Sequence, residues 1–329
     1  RKCRIQDNWD GIAIWNHEWG TIMIENNIIS NNDHIGLDAS YPIGDGEVII
    51  RSNTIVCNGW DGYYDWAGGG YHVLINNIIV SNRFGIHSHV NTPRYIAYNN
   101  VWNNSEGNYV EGYTGYGDIN PFTPSPGTGE ISTNPLFIDA TNRDYHLNAD
   151  SPCIDAGTNE EAPNVDFEGN PRPIDGDVDG IAIVDMGAYE FIPALSASIS
   201  PLSASILVGE SLIFSSMVSG GIPPYSYQWY LNGSAVPGAT ADSWTFTPVS
   251  VGVYEVYLNV TDSSRGIAIS QIATVSVAPP SITATVDIKP EAINLISEGE
   301  WITAYIELPE GYDVNDIYVS SILLNDTIS

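Results

Sequence analysis

Positive charge is scarce in this chain of 329 residues, where 10 Lys and Arg residues stand against 40 Asp and Glu residues for a formal net charge of −30. Proteins that bind nucleic acid or anionic membrane surfaces carry clustered Lys and Arg, because those side chains neutralise phosphates. The composition therefore argues against both kinds of partner. Acidity of this degree is typical of secreted or cell-surface proteins and of proteins that bind divalent cations, and it also serves plain solubility.

Cysteine and long apolar runs are scarce too. Cys3, Cys57 and Cys153 form an odd set in three unrelated contexts, so we expect three buried thiols rather than a disulfide framework or a metal site. No apolar stretch of about 18 residues occurs, which predicts no membrane span in this sequence. No signal-peptide pattern is found. Because Arg1 falls inside a repeat and Ser329 inside an apparent domain, we expect the chain to be part of a longer protein.

The first part of the chain carries a short repeat in place of helix-length amphipathic segments. The first asparagine of each repeat recurs at intervals of 26, 24 and 23 residues, at Asn27, Asn53, Asn77 and Asn100. A second asparagine follows at Asn32, Asn58, Asn82 and Asn104. A closing glycine follows at Gly36, Gly62, Gly85 and Gly107, with Gly11 marking an earlier repeat. A period in the low twenties, with short Ile- and Val-rich runs, is typical of a β-solenoid.

This repeat predicts an all-β chain whose residues 1–112 form the coils of a right-handed parallel β-helix. Strands of successive coils stack about 4.8 Å apart. Equivalent asparagines can then form a ladder in which each side-chain amide bonds to the next coil. We interpret these asparagines as structural residues.

Residues 113–192 are predicted to be a Gly/Pro/Thr-rich loop and a closing segment. The motifs NPLF-x-D, DYHL, SP-x-IDAG and D-x-GAYE within 134–191 resemble the carboxy-terminal segment of secreted parallel β-helix proteins of the pectin-lyase-like superfamily. A solenoid leaves an apolar end that a non-repeating segment must cover. The apolar residues expected to do so are Leu136, Phe137, Tyr145, Leu147, Ile154, Met186, Tyr189 and Phe191.

Residues 194–278 show alternating short strands at the spacing of a β-sandwich. The run PPYSYQWYLNG resembles immunoglobulin-like and polycystic-kidney-disease-type (PKD-like) modules of microbial surface proteins, with Trp229 as the core tryptophan of the third strand. The typical WDFGDG motif of the second type is replaced here by WYLNG, which favours the immunoglobulin-like class. Residues 281–329 are predicted to begin another, incomplete β-module.

Alignment of the coils on their glycines predicts which side chains face outward. The residue after each glycine should point into the core, and those two and four positions later should point out. These two columns make a candidate carbohydrate-binding face of Trp15, Asp38, Tyr64, Trp66, His87 and His89. Aromatic rings can stack on sugars, and carboxylates or imidazoles can bond to hydroxyl groups. In the superfamily that the closing segment resembles, this face holds polysaccharide.

Two chemistries are expected from these residues. Asp38 and His87 are the catalytic candidates for a hydrolase, which would need paired acid/base groups, and the resemblance implies Arg83 or Arg94 as the base of a lyase. Separately, Asp175, Asp177 and Asp179 followed by Gly180 resemble the start of a calcium loop. The acid expected at the twelfth place is displaced to Asp185, and an Asp/Gly turn without an ion would explain the same residues.

Three functions are compatible with this pattern. The first is an extracellular or cell-surface protein that adheres to a polysaccharide or cell-surface glycan, with other surface proteins as further partners. The second is a polysaccharide lyase or glycoside hydrolase whose catalytic set lies partly outside this sequence. The third is a structural protein of a surface layer. The missing pair of acids in one column favours the first.

Overall fold

The computed structural model describes residues 2–15, 20–41, 46–65, 70–88, 94–112, 120–121, 127–280, 285–289 and 303–308. Trp66 and His89 of the predicted binding face lie outside these described residues. The fold is all-β, as predicted from the sequence. Among the described residues, no helix is long and apolar enough to cross a membrane.

The amino-terminal part is a parallel β-helix, whose described residues make four complete coils and part of a fifth. Its strands are β1 (Arg4–Gln6), β2 (Ile12–Trp15), β3 (Thr21–Glu25), β4 (Ile28–Ser30), β5 (Leu37–Tyr41), β6 (Glu47–Arg51), β7 (Thr54–Val56), β8 (Asp61–Asp65), β9 (Tyr71–Ile75), β10 (Ile78–Val80), β11 (Phe84–Ser88), β12 (Arg94–Ala97), β13 (Asn100–Trp102), β14 (Gly107–Glu111) and β15 (Asn120–Pro121). Sheet A has the order β1-β4-β7-β10-β13, sheet B has the order β15-β14-β11-β8-β5-β2, and sheet C has the order β12-β9-β6-β3.

The register of sheet B agrees with the glycine alignment. Ile12 pairs with Leu37, Leu37 with Tyr63, and Tyr63 with Ile86, one coil after another. All four side chains lie in or against the apolar core inside the helix. Because side chains alternate along a strand, the neighbouring column of Ala13, Asp38, Tyr64 and His87 faces away from that core.

Two asparagine ladders run along the helix. In the first, Asn27 donates to Asn53, Asn53 to Asn77, and Asn77 to Asn99, at 2.9–3.0 Å. The sequence alignment placed Asn100 in this ladder, and this was wrong: Asn100 bonds to the carbonyl of Thr133 and to Cys153 instead. The ladder spacing falls there from 24 residues to 22, so the first asparagine of the Asn99-Asn100 pair takes the position.

The second ladder follows the sequence prediction. Asn32 donates to Asn58, Asn58 to Asn82, and Asn82 to Asn104, at 2.9, 3.0 and 3.1 Å. Asn104 then donates to Asn108 at 2.9 Å. Each amide therefore has a partner inside the stack, which a buried amide needs.

The closing glycines are required by the closeness of successive coils. A Cβ atom on Gly62 would lie 2.8 Å from the Asn82 amide nitrogen and 2.5 Å from Ile79 Cγ2. Gly36 meets its own next coil in the same way. Gly107 does not continue this column, because it pairs with Phe84 rather than with Gly85. That assignment from the sequence was one residue out of register.

The closing segment lies along the side of the helix. It contains β16 (Phe137–Asp139), a 3₁₀ turn (Ala140–Asn142) and β17 (Asp144–Leu147). Its buried side chains Tyr145, Leu147, Met186 and Tyr189 pack on the outer residues of sheet A, which are Ile28, Val56, Ile78 and Val80. The expectation that this segment covers the end of the coils is corrected, because the outer side of sheet A is itself apolar and has to be buried.

The last coil is continued by residues 127–133 instead. The amide of Ile131 donates to the carbonyl of Asn99, and its carbonyl accepts from the amide of Val101. Cys153 is buried as expected, whereas Cys3 and Cys57 are exposed. Cys57 occupies a left-handed bend, with φ of 55°, that ends a strand of sheet A.

The carboxy-terminal strands fit an immunoglobulin-like sandwich. They are β18 (Ser196–Ser200), β19 (Ser203–Leu207), β20 (Leu212–Ser219), β21 (Ser226–Leu231), β22 (Ser234–Ala235), β23 (Ser243–Phe246), β24 (Gly252–Thr261), β25 (Ile267–Ile269) and β26 (Ala273–Ala278). One sheet has the order β18-β20-β23 and the other β19-β26-β24-β21-β22, with β25 beside β24. Beyond them, β27 (Thr285–Lys289) and β28 (Thr303–Glu307) form an antiparallel pair.

Trp229 anchors the core of this sandwich. It lies on β21 and is fully buried, and its indole N–H donates to the carbonyl of Ala241 at 2.9 Å. The centroid of its ring lies 6.0 Å from that of Phe214 and 6.1 Å from that of Trp244. Packing of these rings holds the sandwich together, since no disulfide joins its sheets among the described residues.

Candidate functional site

The column predicted to bind a ligand is much less exposed than expected. His87 is completely buried, and its two ring nitrogens bond to Asp61 Oδ1 at 2.9 Å and to the Gly112 carbonyl at 3.0 Å. Asp38 is 9% exposed and accepts a hydrogen bond from the amide of Ser40 at 3.0 Å and another from its hydroxyl. The expectation of an exposed column is therefore corrected for these two residues. Tyr64 is half-buried beside His87.

The electrostatics of this column follow from its burial. Burial raises the pKa of Asp38 and of Asp61. Burial alone would lower the pKa of His87, but the hydrogen bond and charge of Asp61 outweigh it and raise that pKa. The structure thus pairs His87 with Asp61 rather than with Asp38, the other catalytic candidate. Both His87 nitrogens are occupied, so the ring is held as a structural link between coils.

Trp15 remains on the surface, with 66% of its area exposed. It ends β2 and pairs with Tyr41 across an irregularity in the ladder, so it does not share a column with Ser40 as the alignment assumed. Ala13, two residues earlier on the same strand, is also exposed. The small Ala13 side chain leaves the outer surface of β2 open beside the indole.

A second surface feature was missed by the sequence reasoning. Trp9, His34, Trp60 and Arg83 each stand two residues before a closing glycine, on the turn between sheet A and sheet B. We name these four residues the stacked row. The rings of Trp9 and His34 stack with centroids 5.3 Å apart, and His34 lies 5.7 Å from Trp60. The Arg83 guanidinium carbon lies 3.9 Å from the centre of the Trp60 ring.

The stacked row is fixed by polar contacts at its edges. His34 Nδ1 contacts Asp10 Oδ1 at 2.9 Å, and the same oxygen accepts from the amide of Ile35. Arg83 Nε lies 2.8 Å from Glu106 Oε1. Trp9 and His34 are stacked, whereas His34 and Trp60 are tilted by 50°. Trp9 is 68% exposed, and His34 and Trp60 are half-buried. The sequence signal that could have identified this row is the aromatic, imidazole or guanidinium side chain found two residues before each closing glycine.

A polar depression of about 480 Å³ lies at the Arg83 end of the stacked row. Its lining includes Asn58, Ser81, Arg83, Asn103, Ser105 and Glu106, which come from three consecutive coils. Amides and hydroxyl groups predominate, so this surface offers both donors and acceptors of hydrogen bonds. Arg83 belongs to both features, and it joins the aromatic surface to the polar one.

A buried polar cluster lies at the carboxyl ends of the strands of sheet B, away from the turn that carries the stacked row. Asp65 is buried and accepts hydrogen bonds from Tyr63 at 3.1 Å and from Ser88 at 2.7 Å. His72 contacts Tyr63 directly. Arg94, the other candidate base, donates to Ser88 at 2.8 Å and lies 3.1 Å from Glu111. These charged groups lie within the coils in pairs of opposite charge: Arg94 pairs with Glu111, and His72, when protonated, with Asp65.

The predicted calcium loop is only partly assembled as the sequence suggested. Ligand atoms of Asp175 and Asp177 lie within 4.8 Å of each other and of a third carboxylate from Asp155. Asp179 is not in this group, and its Oδ1 accepts from the amide of Ile181. Asp185 is fully buried elsewhere and accepts from the amides of Asp155 and Phe191. The three grouped carboxylates have the chemistry that a hard cation such as calcium prefers.

The fold and these surfaces define a parallel β-helix protein with an immunoglobulin-like sandwich. A family model described as NosD, periplasmic copper-binding protein, matches residues 1–130. The chain is thus similar to that family over its coils. The comparison with curated protein sequences gave no match.

Solved structures give only weak similarity. The four N-terminal Ig domains of Dscam1 isoform 4.44 are 19% identical, with a TM-score of 0.23 over 28% of this chain and 23% of that one. The fibronectin(III)-like modules of Clostridium thermocellum CbhA are 19% identical, with a TM-score of 0.24 over 35% of this chain and 64% of that one. The chain therefore covers less than two thirds of either structure.

Proposed function

We propose that this chain is part of an exported surface protein that adheres to carbohydrate through the turn between sheets A and B. The observation that carries this proposal is the stacked row with its polar depression. The exposed Trp9 and the half-buried Trp60 give the row an aromatic surface, and amide and hydroxyl groups follow at its Arg83 end. A sugar can use both, since it has apolar faces and polar edges.

Export is supported by the acidic composition and by the coils' similarity to a family described as periplasmic. That family's description also names copper, which prefers nitrogen and sulfur ligands. In the part of the chain that the structure describes, the grouped potential ligands are carboxylates. The donor chemistry therefore gives copper less support than carbohydrate. Membership of the pectin-lyase-like superfamily stays a prediction from the closing-segment motifs.

Binding of the full chain to a glycan array tests the proposal. Trp60→Ala removes the ring between His34 and Arg83, and it should weaken the affinity by about threefold to tenfold, the usual value of one aromatic contact. Tyr95→Ala is the matched control, because Tyr95 is an exposed aromatic residue of sheet C and should leave binding unchanged. Binding that is equally strong in Trp60→Ala and the wild type would place the ligand elsewhere.

The enzymatic alternative is tested in the same samples. A lyase or hydrolase would generate new chain ends in the bound polysaccharide, and Asp38→Asn should abolish them. The burial of Asp38 and His87 favours binding without turnover. A surface-layer protein would instead assemble with itself and bind no glycan, so sedimentation of the same samples separates this third function.

A further inference from the structure

The charges around the stacked row restrict the class of carbohydrate, if the proposed function holds. The positive groups of this surface are Arg83 and, when protonated, His34. Arg83 is held 2.8 Å from Glu106 and lies over Trp60, and His34 is held 2.9 Å from Asp10. Each of these groups therefore already faces a carboxylate.

An acidic sugar would meet unfavourable electrostatics here. Recognition of a uronate or a sulfate is strongest when a guanidinium is available for a bidentate contact, and Arg83 would first have to leave Glu106. The chain as a whole carries a net charge of −30, so its long-range field also repels a polyanion. Like charges brought together at an interface suppress the wrong partner.

The polar depression offers the complementary chemistry. Beside Arg83 and Glu106, its lining includes the neutral amide of the exposed Asn103 and the hydroxyl groups of Ser81 and Ser105. Such groups satisfy sugar hydroxyls without needing a charge on the ligand. We infer that this site takes an uncharged polysaccharide, and that the Arg83–Glu106 pair excludes acidic ones.

The experiment compares three oligosaccharides of equal length by calorimetry with the full chain: a neutral glucan, an oligouronate and an oligomer of glucosamine. The neutral chain is expected to bind with an affinity that changes little between 50 and 300 mM salt, because no ion pair forms. The oligouronate should bind at least about tenfold more weakly. Equal or tighter binding of the oligouronate or of the glucosamine oligomer overturns the inference.

A panel of other neutral glycans (mannan, galactan and xylan oligomers) keeps this outcome separate from the proposed function. If acidic chains bind and neutral ones do not, adhesion stands and the inference fails. If no member of any class binds, the proposed function itself fails.

A variant tests the cause of the discrimination. Glu106→Gln keeps the shape of the side chain and frees the guanidinium of Arg83. It should strengthen oligouronate binding about tenfold, with a new dependence on salt, and so reduce the ratio between the neutral and the acidic affinity. Glu160→Gln is the control, since Glu160 is exposed. Unaltered discrimination in Glu106→Gln would show that the Arg83–Glu106 pair does not exclude acidic sugars.

Discussion

Glu130 ends the first asparagine ladder with a titratable group, and its substitution gives a sharp test of the helix. Its Oε1 accepts from the amide of Asn99 at 2.8 Å and from the Asn99 side chain at 2.7 Å, and its other oxygen accepts from Tyr109. Burial raises the pKa of Glu130 from 4.5 to about 7, although these hydrogen bonds oppose the rise. Glu130→Gln keeps an acceptor for Asn99 and removes the charge.

The sign of the effect follows from linkage. The folded state binds the Glu130 proton more tightly than the unfolded state, so the stabilising contribution is fully present below pH 4.5 and is lost as pH rises through about 7. A pKa unit corresponds to about 1.4 kcal/mol. The free energy of unfolding of the wild type should therefore fall by about 3 kcal/mol from this group between pH 4 and pH 8.

Urea unfolding of the full chain, followed by circular dichroism from pH 4 to pH 8, measures the difference between Glu130→Gln and the wild type. The sandwich is identical in both proteins, so its transition cancels in the comparison. In the wild type, the free energy of unfolding of the β-helix should fall as pH rises. This fall should be absent in Glu130→Gln and should remain in the control Glu160→Gln, whose side chain is exposed. Parallel pH profiles for Glu130→Gln and the wild type would refute the assignment of a raised pKa to Glu130.

Three further predictions test the helix and the closing segment. Gly62→Ala should destabilise the coils by about 1–3 kcal/mol, because the new Cβ would overlap Ile79 and Asn82; a melting temperature equal to that of the wild type would contradict this. Arg172→Met should cost about 3–5 kcal/mol in urea unfolding, since it leaves the buried Glu190 carboxylate without its cation at 3.0 Å, while an equivalent change at the exposed Arg143 should have little effect. Calcium should raise the melting temperature, and Asp177→Ala should abolish the rise; a wild type that is insensitive to calcium would exclude the site.

The sequence predicted much of the fold because the repeat expresses a physical constraint that is local to each coil. A short strand, a bend and a buried amide are needed at every turn, and each leaves its residue type at a fixed interval. The alignment of Leu37, Tyr63 and Ile86 followed directly, as did the second ladder. The errors at Asn100 and Gly107 arose where the repeat length changes, and a slip of one residue exchanges the faces of a strand.

The position of the closing segment could be predicted in part from the sequence of sheet A. In sheet A, the strand Ile78–Val80 is a short apolar run that is buried throughout, and such runs are typical of strands buried on both faces. The inner face fills the coils, so the outer face had to be covered by another part of the chain. The apolar residues for this purpose were identified, but their partner was not.

What the sequence by itself determined is the solenoid and the register of its inner column of Leu37, Tyr63 and Ile86. Only the tertiary structure decided which columns reach solvent, because exposure depends on contacts between segments that are distant in sequence. Asp61 and Gly112 bond to the two ring nitrogens of His87. The carboxylate of Asp155 lies with those of Asp175 and Asp177. Successive coils each contribute one residue to the stacked row. The contacts of His87 and of the stacked row arise when coils stack, and they move the proposed binding surface from the strand face to the adjoining turn.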